Sequence, residues 1–150
     1  MSFQIDQIDP FHPHFDSLVR ELNAYLKSVD GDDNEFYNQF NSSDDLDFAF
    51  VGYLERLPIT CAGLKSYGSN RYELKRMFTL PEKRRNGYSK MMLNHLVNFA
   101  KSSDKIALVL ETGKRQAEAI ALYESYGFKR VENFGPYAGV ENSCCFELEV

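Results

Sequence analysis

Met77-Phe78-Thr79-Leu80-Pro81-Glu82-Lys83-Arg84-Arg85-Asn86-Gly87-Tyr88-Ser89-Lys90 carries the sequence from one kind of secondary structure to another. Tyr72–Leu80 reads as a strand, closed by Pro81, which has no N–H to give to a ladder. Gly87–Ala100 reads as a helix with Tyr88, Met91, Met92, Leu96 and Phe99 on or near one face. The loop between them is basic. Gly87 lets backbone approach a ligand closely, and the free N–H groups of the first helical turn point toward the loop. A helix N-terminus with about half a positive charge, beside Arg84 and Arg85, is a phosphate site in outline. Neither the Walker A spacing nor the dinucleotide G-x-G-x-x-G is present.

Outward from that turn, strands and helices alternate without a linker, a repeat or a low-complexity break. Phe3–Ile8 reads as a first strand. Phe15, Leu18, Val19, Leu22, Tyr25 and Leu26 recur at helical spacing, and Asp30-Gly31 stops that helix. A short helix is expected over Asp33–Phe40. Asp47–Leu54 and Pro58–Tyr67 form a hairpin, and Gly68-Ser69-Asn70 turns into the Tyr72 strand. Ile106–Leu110 is a nearly unbroken apolar run, as in a strand covered on both sides. Gln116–Tyr126 is a helix ended by Gly127, and Phe128–Phe134 and Ser143–Val150 supply the last strands. The fold class is therefore α/β: one domain over residues 1–150, with a central, mostly antiparallel mixed sheet flanked by about four helices.

With 150 residues, 43% of them apolar and 26% charged, the chain is ordinary globular material. No apolar run approaches the roughly 20 residues that span a bilayer, and MSFQIDQIDP carries no signal-peptide pattern, so a cytoplasmic protein without a membrane partner is expected. The net charge of −5 and the shortness of the basic cluster argue against nucleic acid. Cys61, Cys144 and Cys145 make an odd count without CxxC spacing, and read as reduced apolar residues. Adjacent Cys144 and Cys145 would face opposite sides of a strand. His12, His14 and His95 are scattered, and Asp30, Asp32 and Asn34 start a calcium loop that fails at Glu35 and Asn41, so no metal is expected.

Net charge hides a segregation. Asp30, Asp32, Asp33, Glu35, Asp44, Asp45, Asp47 and Glu55 fall in one stretch without a Lys or Arg. Lys75, Arg76, Lys83, Arg84, Arg85 and Lys90 fall in another, with Glu82 its one acid.

The strand–loop–helix stretch resembles that of the GNAT superfamily of acyl-CoA-dependent N-acetyltransferases. The superfamily turn is [QR]-x-x-G-x-[GA]; Arg84 and Gly87 match it, and Ser89 stands at the last small position. Ala119-Ile120-Ala121-Leu122-Tyr123-Glu124-Ser125-Tyr126-Gly127-Phe128 is similar to a second superfamily motif, A-x-x-L-Y-x-x-x-G-F, and Gln116 stands where an asparagine is frequent. Glu73-Leu74-Lys75-Arg76-Met77 and Leu110-Glu111-Thr112-Gly113 look similar to a bacterial branch of small members. The resemblance covers roughly Asp47 to the C-terminus and little of the first forty residues.

The resemblance implies an acetyl-CoA enzyme acting by direct attack in a ternary complex. The cofactor's pyrophosphate would rest on amides of Arg85, Asn86, Gly87, Tyr88 and Ser89 with Arg84 beside them. Its pantetheine arm would pair with the backbone of Met77, Phe78 and Thr79, where two parallel strands splay apart. Tyr123 would be the general acid: at a reference pKa of about 10 it stays protonated beside a leaving thiolate of about 8.5. Glu73 and Glu111, each near a central strand, are the candidate bases. Tyr137, on the Gly/Pro-rich loop Phe134–Gly139, would contact the acceptor. The acceptor would be a small amine, and the acidic Asp30–Asp47 segment, if it folds over the acceptor side, suits a cationic one such as a polyamine, an amino sugar or an amino-acid amine. A protein or peptide amine acetyltransferase and a non-catalytic acyl-CoA sensor stand as alternatives, and homodimerisation through the C-terminal strand is left open.

Overall fold

A computed structural model of the chain describes residues 2–30 and 45–150. Its seven strands are β1 (Phe3–Ile8), β2 (Phe48–Leu54), β3 (Leu57–Tyr67), β4 (Arg71–Thr79), β5 (Ala107–Gly113), β6 (Lys129–Val131) and β7 (Ser143–Glu149). The helices among these residues are α1 (Pro13–Asp30), α2 (Tyr88–Ser102) and α3 (Ala117–Tyr126), with 3-10 turns at Pro81–Lys83 and Gly135–Tyr137. One sheet runs in the order β1-β2-β3-β4-β5-β7-β6. All neighbours are antiparallel except β4 and β5, the parallel pair at its centre.

The expected elements are in place with shifted ends. The short helix expected over Asp33–Phe40 lies outside the described residues. The strand expected over Phe128–Phe134 contracts to Lys129–Val131. There Asn133 turns inward, its Nδ2 donating to the carbonyls of Val140 and Ser143 at 3.0 Å each, and the Gly135–Tyr137 turn takes the chain off the sheet. The C-terminal strand is interior, between β5 and β6, so the sheet edges are β1 and β6 rather than β7.

Side-chain alternation builds one core on each face of the sheet. On one face α1 lays Phe15, Leu18, Val19, Leu22 and Leu26 against Ala49, Val51, Cys61 and Phe78. On the other, Met92, Leu93, Leu96 and Ala100 of α2 and Tyr123 of α3 cover Phe50, Leu64, Leu74, Leu108, Leu110 and Phe146. Cys144 belongs to this second core, and all three cysteines are free and buried.

One irregularity shapes the centre of the sheet. Cys61 pairs with Phe78 and Gly63 with Lys75, so Ala62 alone faces both Arg76 and Met77. Arg76 takes up the extra residue at φ +56°, left-handed backbone in the middle of a strand. The bulge swaps the faces: Leu74 packs on the α2 side, whereas Phe78, four residues on and of the same parity, packs under α1. The Cys61 thiol donates to the Arg76 carbonyl at 3.3 Å, satisfying a group the ladder leaves out. Burial pushes that thiol up to about 12, so it stays protonated.

The α2 face carries the larger core, and Leu96 within it is fully buried. Leu96→Ala should destabilise the protein by about 2–5 kcal/mol in chemical denaturation. A loss under about 1 kcal/mol would contradict this packing of α2 on the sheet.

Candidate active site

β4 and β5 are paired only from Arg71 opposite Ala107 to Leu74 opposite Leu110. Past that point both strands continue, to Thr79 and Gly113, without pairing to each other. A cavity of about 110 Å³ fills the opening. Leu22 and Leu26 of α1 line it from one face of the sheet and Ala119 and Tyr123 of α3 from the other, so the gap passes through the sheet. A groove of about 530 Å³ adjoins it along Met77, Phe78 and Thr79 and ends at the N-terminus of α2. Both spaces share Met77, Gln116 and Tyr123.

At the α2 end, Gly87 is the N-cap at φ +84°, and a Cβ built there would meet open space. Helical bonding starts with the Met91 amide on the Gly87 carbonyl at 3.0 Å, leaving the amides of the first turn free toward the groove. Lys83, Arg84, Arg85 and Lys90 line this end, giving it positive potential. Asn86 does not line the groove. Its Nδ2 donates to the carbonyls of Lys83 and Arg84 at 3.1 Å, closing the turn. Tyr88 packs on Phe3 with ring centroids 4.8 Å apart.

Arg84 is also partly committed within the protein. Its Nε donates to the Thr79 carbonyl at 2.9 Å, and its guanidinium lies over the rings of Tyr25 and Phe78 at 5.5 and 5.4 Å. A chain of hydroxyls ties β4 to α2. Thr60 donates to the Phe78 carbonyl at 2.9 Å, so across the 2.8 Å contacts Thr79 must donate to Thr60 and Ser89 to Thr79. Ser89 therefore offers the groove an acceptor, and donors for an anion are left to the backbone amides and the basic side chains of Lys83, Arg84, Arg85 and Lys90.

In the gap, Tyr123 is 8% exposed, its ring held by Phe128 and Phe146. Burial raises its pKa, so it is a neutral O–H donor across the whole working pH range. Glu73, also 8% exposed, accepts a hydrogen bond from the Tyr137 hydroxyl. Burial raises the Glu73 carboxyl against the opposing pull of Lys75 and Lys65. Tyr137 lies within the field of both Glu73 and Glu111, so the structure brings near one another these three residues, expected separately from sequence, and two of them, Tyr137 and Glu111, line the cavity.

Arg76 was only one charge among several in sequence. Here its buried guanidinium lines the gap, with Nη2 donating to Asn23 Oδ1 of α1. The Lys-Arg-Met order held no signal for it, because the bulge that turns it inward has no sequence signature in this strand. Of the acidic stretch, Asp45 is engaged by Lys65 at 3.1 Å and Lys75 at 3.6 Å, and Asp47 accepts from the Ser66 amide at 2.7 Å. Asp32, Asp33, Glu35 and Asp44 lie outside the described residues. Among the described residues no group of three or more metal-ligating side chains gathers, and no helix is long and apolar enough to cross a membrane.

A mixed sheet opened within its parallel pair, with a basic helix N-terminus at the mouth of the opening, defines an α/β acyltransferase fold. The chain belongs to the acetyltransferase (GNAT) family, whose model matches residues 14–128. That match begins within α1, further toward the N-terminus than the sequence motifs reach. A Klebsiella pneumoniae protein described as an acyl-CoA N-acyltransferase superimposes with a TM-score of 0.82 at 25% identity, over 98% of this chain and 97% of that one. A GNAT family acetyltransferase of Elizabethkingia anophelis with acetyl-CoA bound has the same fold, with a TM-score of 0.73 at 16% identity, over 99% of this chain and 98% of that one. An IAA acetyltransferase of Azospirillum brasilense is 42% identical over 65 residues, 43% of this chain and 42% of that protein. The chain spans between 34% and 56% of the length of the curated relatives it matches.

Because the folded pKa of Glu73 is raised above the ordinary 4.5, the folded chain holds that proton more tightly than the unfolded chain. This stabilisation is present below the unfolded value and is lost as pH rises through the folded one. Glu73→Gln should therefore raise Tm at neutral pH, and the gain should vanish as the pH falls below about 4.5. A variant that is less stable at neutral pH would show the carboxylate to be net stabilised by its lysines.

Proposed function

We propose that the protein transfers the acetyl group of acetyl-CoA to a primary amine of a small acceptor by direct attack in a ternary complex. The observation that carries this reading is the continuous groove from the free amides at Gly87–Lys90, past the unpaired edge of Met77–Thr79, to the gap beside Tyr123. The Elizabethkingia relative with acetyl-CoA bound has this fold, which supports that co-substrate here. A gap of about 110 Å³, roofed by Leu22 and Leu26 of α1, favours a small acceptor over a polypeptide.

Acetyl-CoA supplies an activated acyl carbon: the amine forms the new C–N bond, the C–S bond breaks, and its electron pair leaves on sulfur. The residues of the chain then divide the work. Amides from Arg85 to Ser89 and the charges of Lys83, Arg84 and Arg85 hold the pyrophosphate end. The strand edge at Met77–Thr79 takes the pantetheine arm as an added strand, and a backbone N–H there meets the developing oxyanion. Gln116, at the start of α3, closes the side of the channel that both spaces share.

Glu73, held by Tyr137 and raised by burial, accepts the ammonium proton directly or through water, with Glu111 as the second carboxylate near Tyr137. Tyr123 donates to the sulfur. The same burial that raises the tyrosine also raises a thiolate in the gap, so the donor and its acceptor remain matched.

Tyr123→Phe should leave the acetyl-CoA Kd unchanged and lower kcat about 10²-fold, read as free-CoA release. A Phe variant with full activity would remove Tyr123 from the chemistry. Absence of acetyl-CoA binding to the wild type would overturn the function itself.

A further inference from the structure

Among the described residues, the cation Arg76 in the gap has no matching anion. Arg76 is 6% exposed, and its Nη2 meets only a neutral acceptor, Asn23 Oδ1. Its buried Nε has no hydrogen-bond partner, and among the described residues no carboxylate lies within ion-pair distance of it. The groups that act on it, Cys61 and Tyr137, are neutral in the folded protein. Burial lowers Arg76 to about 10, so it is still charged at neutral pH. A buried guanidinium without a counter-charge is unfavourable, and the left-handed bulge that places it is strained as well. An anion entering the cavity from the acceptor side would supply the missing counter-charge.

The same cavity is lined by Lys75 and Glu111 as well as Arg76, with Lys75 paired to Asp45 and Glu73 bonded to the lining residue Tyr137, so it gathers charges of both signs. That arrangement suits a zwitterion. A polyamine or amino sugar would satisfy the carboxylates but bring a second positive charge into the space that Arg76 lines. We propose that the acceptor is a free amino acid, its carboxylate held by Arg76 and its amine directed to the carboxylates of Glu73 and Glu111, where it meets the acyl carbon. This rests on the acetyl-transfer reading and selects the amino-acid amine from the acceptors that the acidic stretch suits. The amine nitrogen bonds the acetyl carbon and loses its proton to one of these carboxylates, CoA leaves as the thiol, and the product is an N-acetylamino acid.

The test compares free amino acids with their carboxamides, which keep the amine and lose the carboxylate, as acceptors for the intact chain with acetyl-CoA. For at least one side chain the acid should exceed its amide about 10²-fold in kcat/KM, the worth of a charged hydrogen-bonded pair. Arg76→Gln should abolish that ratio while leaving the acetyl-CoA Kd unchanged. In case Arg76→Gln fails to fold, Asn23→Asp provides a second route. It gives Arg76 a carboxylate from α1 and should lower the acid-to-amide ratio at least tenfold with Arg76 in place. Amides used as well as acids, a variant that slows both equally, or acetyl-CoA binding without turnover of any amino acid would each overturn the proposal. Should acetyl-CoA itself not bind, the underlying reading fails separately. The Tm shift given by amino acids alone, and its loss in Arg76→Gln, then decides whether Arg76 holds a carboxylate.

Discussion

Everything in this molecule depends on hydrogen bonds that β4 and β5 do not make. A parallel pair at the centre of a sheet would ordinarily run on, since buried amides and carbonyls without partners are expensive. Here the ladder stops at Leu74 and Leu110, and a left-handed bulge at Arg76 turns the rest of β4 away. The exposed edge is a template for an extended chain of amide groups, which a pantetheine arm provides. The gap is also what lets α1 on one face and α3 on the other line a single cavity.

Holding that gap open has to be supported elsewhere. Two separate cores, one under α1 and one under α2 and α3, clamp the sheet on both sides of the opening. The hydroxyl chain Thr60–Thr79–Ser89 fixes the end of β4 to the start of α2, so the strand edge and the anion-binding amides are positioned together. The protein keeps a buried guanidinium, Arg76, within the gap and a buried carboxyl, Glu73, next to the gap residue Tyr137. Apolar groups of similar volume would stabilise the fold more. Their retention is the expected signature of a binding and catalytic site, where stability is given up for charge in a low-dielectric space.

Most of the architecture was legible because its signals are local. The apolar period of α1, the Pro81 stop, the Gly87 turn and the unbroken Ile106–Leu110 run each announce an element from neighbouring residues. The two short motifs placed Gly87 and Tyr123 at one groove, and the structure brings them there. What the sequence did not show was set by longer-range geometry. The strand over Phe128–Phe134 was too long because Asn133 bonds across to Val140 and Ser143, ten residues at most away but on a turn without periodicity. The Asn86 side chain closes the turn of the loop, a bonding pattern its sequence position does not announce. Arg76 was hidden because a single inserted residue reverses which side of the sheet each later side chain meets. The charge segregation could not show which acids are free for a ligand: Asp45 and Asp47 are already engaged by Lys65, Lys75 and the Ser66 amide.

The most direct test of the account is amide hydrogen exchange along the chain with and without acetyl-CoA. With acetyl-CoA, exchange should slow at two separated places, the strand edge Met77–Thr79 and the first turn of α2 from Gly87 to Lys90, with little change in β1 and β6. Protection confined to the basic loop, or spread over the sheet edges with Met77–Thr79 unchanged, would contradict the opening between β4 and β5 as the acyl-CoA site.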